Sequence, residues 1–252
     1  MASGLPGFEI GWQASYFTGD WRHNQRPSIT LTIIQLAAGL LYAGGAALQW
    51  RHAQVGAAGT PRAALGFGTA GLILHTAAVA GAVLTTGGLV NLDLAYAVSL
   101  FLWLAMLQFL LATLLMEVTV LGLVLFPLGT VALVIEAFTP TGETLVIDAS
   151  QPALVAHLVV SLLAYGTLTL AAIQAALLGI QERQIRRKHF GVMSRILPAV
   201  QPMEQLLFHL LRAGFALLTL VILSGVVFSE QVFGQPLTLD HKTLLTLIAW
   251  VV

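Results

Sequence analysis

Six long apolar runs divide this 252-residue chain and restrict its fold more than any other feature of the sequence. A helix needs about 20 mostly apolar residues to cross a hydrocarbon core roughly 30 Å thick. Runs of that kind lie at about 30–50, 63–86, 95–115, 118–138, 153–180 and 207–229. We therefore predict an all-α protein, a polytopic bundle of transmembrane helices.

Composition supports a membrane environment and excludes several classes of protein. Hydrophobic residues make up 58% of the chain and charged residues only 9%, which is too few to cover the surface of a soluble domain of this size. The 11 Lys and Arg balance the 11 Asp and Glu, so no basic field exists to attract nucleic acid. Cysteine is absent, which excludes disulfides and thiolate metal sites and leaves seven histidines as the main metal ligands. We expect the lipid bilayer, and not nucleic acid, to be a partner.

Two boundaries need an argument beyond hydropathy. The apolar residues at 95–138 are too many for one crossing, and we divide them at Met116–Glu117, where a charge interrupts the run. The last apolar segment, 241–252, would extend about 18 Å as a helix, which is too short to cross the bilayer. We therefore predict six complete spans and a truncated seventh in a transmembrane domain at 30–252. An N-terminal interfacial or flexible segment at 1–29 precedes it.

The distribution of Lys and Arg predicts the orientation of the bundle. Positively charged residues favour the cytoplasmic loops of membrane proteins. They concentrate in the linker at about 182–202, whereas the alternate loops at 85–93, 139–151 and 229–240 contain neither Lys nor Arg. We therefore expect the N-terminus and these three loops to lie outside and the linker to lie in the cytoplasm.

The second apolar run contains a glycine-rich segment beside a histidine. The segment 66–71 matches the dinucleotide fingerprint G-x-G-x-x-G in letters, but it lies inside an apolar run with no preceding strand, so we reject a nucleotide site. Gly68, Gly71 and His75 share one helical face because their spacings are three and four. A flat bulky group or another helix could lie on that face. An ionisable side chain in mid-span usually has a partner, so His75 is a candidate ligand or a hydrogen-bonded packing residue.

A polar stripe runs along the fifth apolar run. Its members recur every four positions and are His157, Ser161, Tyr165 and Thr169. The stripe should face protein or a cavity, where hydroxyl groups commonly form interhelical hydrogen bonds. His241 opens the last segment, and the predicted topology puts it at a depth similar to that of His157 on the outer face. Two neutral imidazoles there could ligate one haem iron, or His241 could be a water-exposed residue at a helix start.

Three stretches of the sequence resemble a known family. They are HLVVSLLAYGTLTLAAIQAALLGIQERQIRRK at 157–188, LPAVQPMEQLLFHLLRAGFALLTLVILSGVVF at 197–228 and DHKTLLTLIAW at 240–250. They are similar to the cytochrome c assembly family, and within it to the HemX-type branch related to CcsA and CcmC. The resemblance covers roughly 60–252. It implies a multi-pass, haem-handling protein of the bacterial inner membrane that takes part in cytochrome c biogenesis, with other assembly proteins or apocytochrome c as partners.

The resemblance also implies roles for single residues. His75, in LILHTAAVA, looks like the family's membrane-embedded haem-ligating histidine. His157 resembles the outward-facing histidine that helps to hold haem at the external site. Under this interpretation the cofactor is haem b, and Gly68, Gly71 and Tyr165 belong to its binding residues.

One loop departs from the CcsA and CcmC branches. Those proteins carry a Trp-rich external motif that cradles haem, whereas SEQVFGQPLTLDHKT, beginning at position 229, contains no Trp. We therefore expect neither holocytochrome c synthase activity nor any other catalysis by this chain. The family's second embedded and second external histidines have no matching positions here, and His241 is a candidate substitute.

Two interpretations of the function stay open. In the first, the protein binds or passes haem through the hypothetical iron ligands His75, His157 and His241. In the second, it is a non-catalytic scaffolding subunit whose histidines only form hydrogen bonds. A small-molecule transporter is disfavoured, because the sequence shows no inverted repeat and no pair of broken helices. No hydrolase or ATPase motif occurs in the chain.

Overall fold

The structure, a computed structural model, describes residues 28–55, 61–85, 89–116, 119–139, 145–148, 151–187, 199–233 and 241–251. These residues form seven helices: α1 (Ile29–Gln54), α2 (Arg62–Thr85), α3 (Leu94–Ala112), α4 (Thr119–Phe138), α5 (Pro152–Arg186), α6 (Val200–Phe233) and α7 (His241–Val251). Helices α1 to α6 are each long and apolar enough to cross a membrane. The predicted all-α class and the six complete spans are therefore confirmed, and the chain is a multi-pass membrane protein.

Three helix starts follow from local chemistry. The hydroxyl of Ser28 accepts a hydrogen bond from the backbone N–H of Leu31 and caps α1. The carboxylate of Asp93 caps α3 in the same way, 2.8 Å from the backbone nitrogen of Tyr96. Pro152 occupies the first turn of α5, where its missing N–H costs no intrahelical bond.

The predicted division of the long central run is confirmed. Helix α3 ends at Ala112 and α4 begins at Thr119, on either side of the Met116–Glu117 break. Two of the predicted spans are too short at their ends beside the linker. Helix α5 continues to Arg186, beyond the predicted end at about 180, and α6 begins at Val200, before the predicted start at about 207. The added turns contain Gln, Glu and Arg, which are good helix formers but are too polar to be counted by hydropathy.

A small sheet, which the sequence did not predict, joins two loops. Strands β1 (Leu89–Leu92) and β2 (Leu145–Asp148) pair antiparallel, with Leu89 opposite Asp148. The pairing brings the α2–α3 and α4–α5 connections to one end of the bundle, which we call the sheet end. These are two of the loops without Lys or Arg, so the structure puts them on a common side as the charge pattern requires.

Two groups of helices build the bundle. Helices α1 to α4 form a closed four-helix unit, in which each helix contacts the next and α4 returns to α1. Helix α5 packs against α3 and α6, and α7 packs against α6. Tyr42, Phe109 and Phe126 lie fully buried in the core of the four-helix unit. The predicted N-terminal segment, up to residue 27, and the 188–198 part of the linker lie outside the described residues.

Candidate functional site

His75 lies in the middle of α2 and is 1% exposed. Its Nε2 atom is 3.0 Å from the hydroxyl oxygen of Ser99 on α3. Its Nδ1 atom is 3.4 Å from the hydroxyl oxygen of Tyr42 on α1, and the two rings meet edge to face. Both nitrogens of the predicted embedded ligand therefore have hydrogen-bond partners within the protein.

The polar contacts of His75 continue toward the sheet end. Ser99 is also near enough to the carboxyl group of Glu136 on α4 to interact with it. The side-chain amide of Gln35 on α1 donates to Oε1 of the same carboxyl group over 2.6 Å. A single chain of polar contacts, Tyr42–His75–Ser99–Glu136–Gln35, thus connects all four helices of the first unit. We call it the buried relay.

Aromatic rings cover the glycine face beside His75. A Cβ atom at Gly68 would lie 2.6 Å from the Phe126 ring, and one at Gly71 would lie 2.7 Å from the Tyr42 ring. Such distances are shorter than van der Waals contact, so only glycine admits these rings. In this packing the face that could have taken a flat cofactor is filled by side chains of α1 and α4.

His157 is held differently, near the start of α5. Its Nδ1 atom is 2.8 Å from the hydroxyl oxygen of Ser224 on α6. The same hydroxyl lies 3.0 Å from the carbonyl oxygen of Val221, and when it donates its proton there it accepts from an Nδ1–H of the imidazole. The other nitrogen, Nε2, then carries the lone pair, which is the tautomer that can bind a metal.

The remainder of the polar stripe on α5 is only partly packed against protein. Tyr165 is 48% exposed, so the described part of the protein does not cover this residue of the stripe, and the alternative that it faces a cavity stays a prediction. Ser161 donates to the carbonyl oxygen of His157 in its own helix over 2.7 Å. The haem-binding role of Tyr165 stays a prediction.

The backbone of α7 fixes the height of His241 along the bundle. The Trp250 indole donates to the Thr219 hydroxyl over 2.9 Å, and its ring stacks on Phe215 at 5.5 Å. The short connection after α6 can reach α7 only if the two helices run antiparallel. Nine positions before Trp250, His241 therefore lies roughly level with positions 224–228 of α6, close to the height of His157. The His241 side chain lies outside the described residues, so its pairing with His157 stays a prediction.

The residues that orient the imidazoles of His75 and His157 were not predicted from the sequence. Ser99, Tyr42 and Ser224 are ordinary polar residues within apolar helices, and only their three-dimensional neighbours reveal what they bind. The available signal was the rarity of polar residues in the spans. Gln108 follows the same rule, because its amide donates to the carbonyl of Leu163 and joins α3 to α5.

A haem iron needs one or two axial ligands, whereas other protein metal sites usually gather more. Within the part of the chain that the structure describes, no group of three or more His, Cys, Asp or Glu could hold a metal ion. The single imidazoles therefore remain the residues to consider for iron.

Comparison with known proteins identifies the family. The model of the family described as "Cytochrome C assembly protein" matches residues 66–252. This chain belongs to the cytochrome c assembly family. The resemblance noted in the sequence is thereby confirmed, including its extension through the second helix.

Several curated proteins are similar to parts of this chain. An uncharacterized 28.8 kDa protein in the nifR3-like 5' region of Azospirillum brasilense is 35% identical over 96 residues, which cover 38% of this chain and 35% of that protein. The inner membrane protein YpjD of Escherichia coli K12 is 26% identical over 129 residues, or 51% of this chain and 48% of its own. Protein HemX of Brevibacillus brevis is 25% identical over 121 residues, or 47% and 44%. The chain thus spans between about a third and a half of the length of these relatives. No solved structure matches.

Proposed function

We propose that this protein binds and passes haem b in the bacterial inner membrane during cytochrome c biogenesis, with His157 as an iron ligand at the sheet end. Membership of the cytochrome c assembly family supports the process. The similarity to a protein named as an inner membrane protein supports the location. The arrangement of His157, Ser224 and Val221 is the observation that carries the assignment of the ligand.

The surroundings of His157 suit a histidine that would hold haem iron. Histidines that bind metals usually donate their other ring N–H to an oxygen, which fixes the tautomer and the direction of the ring. Ser224 serves as that oxygen, and its own proton is committed to the Val221 carbonyl. The ring also packs against the backbone of α6, where a Cβ at Gly225 would lie 3.5 Å from Cε1 of His157. The imidazole is therefore oriented before any ligand arrives.

The residues of this chain bind and orient, and they perform no covalent step. Haem, when bound, supplies the iron that the imidazoles ligate, and as cargo it is passed on to apocytochrome c or to other assembly proteins. His241, at a similar height on α7, is the proposed second ligand. Tyr165, two turns along α5 from His157, is the proposed polar contact below the haem. The sheet end is proposed to face the outside, where cytochromes c are completed.

Haem content after loading tests this function. Purified protein should take up haemin, and His157→Ala should lose most of that haem in a pyridine haemochrome assay. His209→Ala is a matched control, because His209 is exposed near the other end of α6 and its Nδ1 lies 2.6 Å from the Gln205 carbonyl oxygen of its own helix. Equal haem content in the two variants would contradict the assignment.

A scaffolding subunit without haem is the second candidate. It is favoured by the hydrogen bonds of His75, which follow the pattern of a packing residue. It predicts that the purified protein takes up no stoichiometric haem, so the same loading experiment separates the two functions.

A further inference from the structure

The buried relay gives His75 a role that the family resemblance did not imply. We infer that His75 is an interhelical hydrogen-bond node that positions α1 to α4 and that it does not ligate iron in this protein. The inference deepens the proposed function, on which it rests for the choice of haem as the ligand, and it limits iron binding to the sheet end.

The first argument is the state of the two ring nitrogens. If Ser99 accepts from Nε2–H of His75, Tyr42 donates to Nδ1. If Ser99 instead donates to Nε2, Nδ1–H of His75 donates to Tyr42. In either order one nitrogen is protonated and the other accepts a hydrogen bond. Neither order leaves a lone pair for iron, which an axial histidine requires.

The second argument is the lack of space around the ring. Tyr42 and Phe126 are both fully buried, and they fill the glycine face on the α2 helix beside His75. Phe126 is itself packed edge to face against Phe109, with ring centroids 5.6 Å apart. A porphyrin beside His75 would have to displace this aromatic core, since interiors are packed closely and do not deform continuously.

The relay also supplies polar partners to Glu136. An ionisable group within a membrane span is costly unless it has partners. Glu136 lies about 3 Å along the axis from the sheet end of α4, and its partners are Gln35 and Ser99, with Asp93 and Tyr96 near enough to interact electrostatically. His75 lies about 15 Å from the sheet end of α2, so the relay extends from that end to the centre of the bundle. Removing His75 from the relay for iron would also deprive Ser99 of its second partner.

Nitrogen-15 NMR on histidine-labelled protein in bilayers tests the inference. The His75 resonances are assigned as those missing from His75→Gln, and spectra are taken before and after addition of paramagnetic haemin. We expect one protonated and one unprotonated ring nitrogen for His75, unmoved by haemin, while the His157 signals shift strongly or vanish. A paramagnetic shift of the His75 nitrogens would overturn the inference.

The haem content and thermal stability of His75 variants distinguish an iron ligand from a residue that only positions the helices. Gln can both donate and accept, so His75→Gln should keep the haem content and much of the thermal stability that His75→Ala loses. Folded His75→Gln protein that lost haem to the same extent as His157→Ala would overturn the inference.

Failure of the proposed function can be told apart from failure of this inference. If the wild-type protein takes up no haem, the proposed function fails, and the relay is judged on the haem-free spectrum. There, Ser99→Ala should shift the Nε2 resonance of His75, whereas Ser161→Ala should not. If the Nε2 resonance of His75 were unchanged in Ser99→Ala, the contact between His75 and Ser99, and with it the buried relay, would be contradicted.

Discussion

Ser224 is the proposed determinant of which nitrogen of His157 carries the lone pair. Its hydroxyl bridges Nδ1 of His157 and the carbonyl of Val221, so Ser224→Ala leaves the ring free to rotate and to change tautomer. Loss of such a supporting hydrogen bond usually weakens metal binding by about 10- to 100-fold. We expect a loss of that size in haem titrations followed by absorbance. Ser161→Ala, which removes a hydroxyl that donates to the His157 carbonyl within α5, should bind like wild type, and equal affinities of the two variants would contradict this role.

Single residues also mark the limit of prediction from the sequence. His75 and His157 stand out because ionisable side chains are rare in apolar spans. Their partners do not, since Ser99 is 24 positions from His75, Tyr42 is 33 positions away, and Ser224 is 67 positions from His157. Helical periodicity relates residues within one helix and carries no information on which helices meet. The choice between ligand and packing residue at His75 therefore cannot be made from helical periodicity alone.

Close packing of α2 against its neighbours depends on two glycines. Alanine at Gly68 or at Gly71 would collide with the Phe126 or the Tyr42 ring, and overpacking of this kind typically costs about 1–3 kcal/mol. We expect each variant to unfold at a lower temperature in detergent. Gly66 is a matched control on the same helix, because a Cβ there would meet nothing within 4 Å. Gly66→Ala should be neutral or slightly stabilising, and a loss of stability in this control equal to that at Gly68 would argue against the packing account.

Elements that span the membrane were predictable, and the elements between them were not. Hydropathy located all six long helices because a bilayer demands an uninterrupted apolar length. The two strands, LVNL and LVID, are four residues each and too short to show an alternating pattern. They form because two loops meet at one end of the bundle, which is a property of the tertiary fold.

Orientation of the whole molecule can be tested with single cysteines, because the chain has none of its own. Leu145→Cys places a thiol in β2 at the sheet end, and Arg187→Cys places one just after α5 at the opposite end. The charge pattern predicts that an impermeant thiol reagent labels position 145 in intact cells and position 187 only after permeabilisation. The reverse labelling pattern would show that the bundle has the opposite orientation in the membrane.

Coordination of haem iron at the sheet end is the central claim, and the spin state of the bound haem tests it most directly. Wild-type protein loaded with haemin should show a six-coordinate, low-spin spectrum if His157 and His241 are the two ligands. His157→Ala and His241→Ala should each lose most of the haem and leave a five-coordinate remainder, so the double variant should lose little more, because ligands of one iron act as a unit. A low-spin spectrum that survives in His157→Ala would contradict the account.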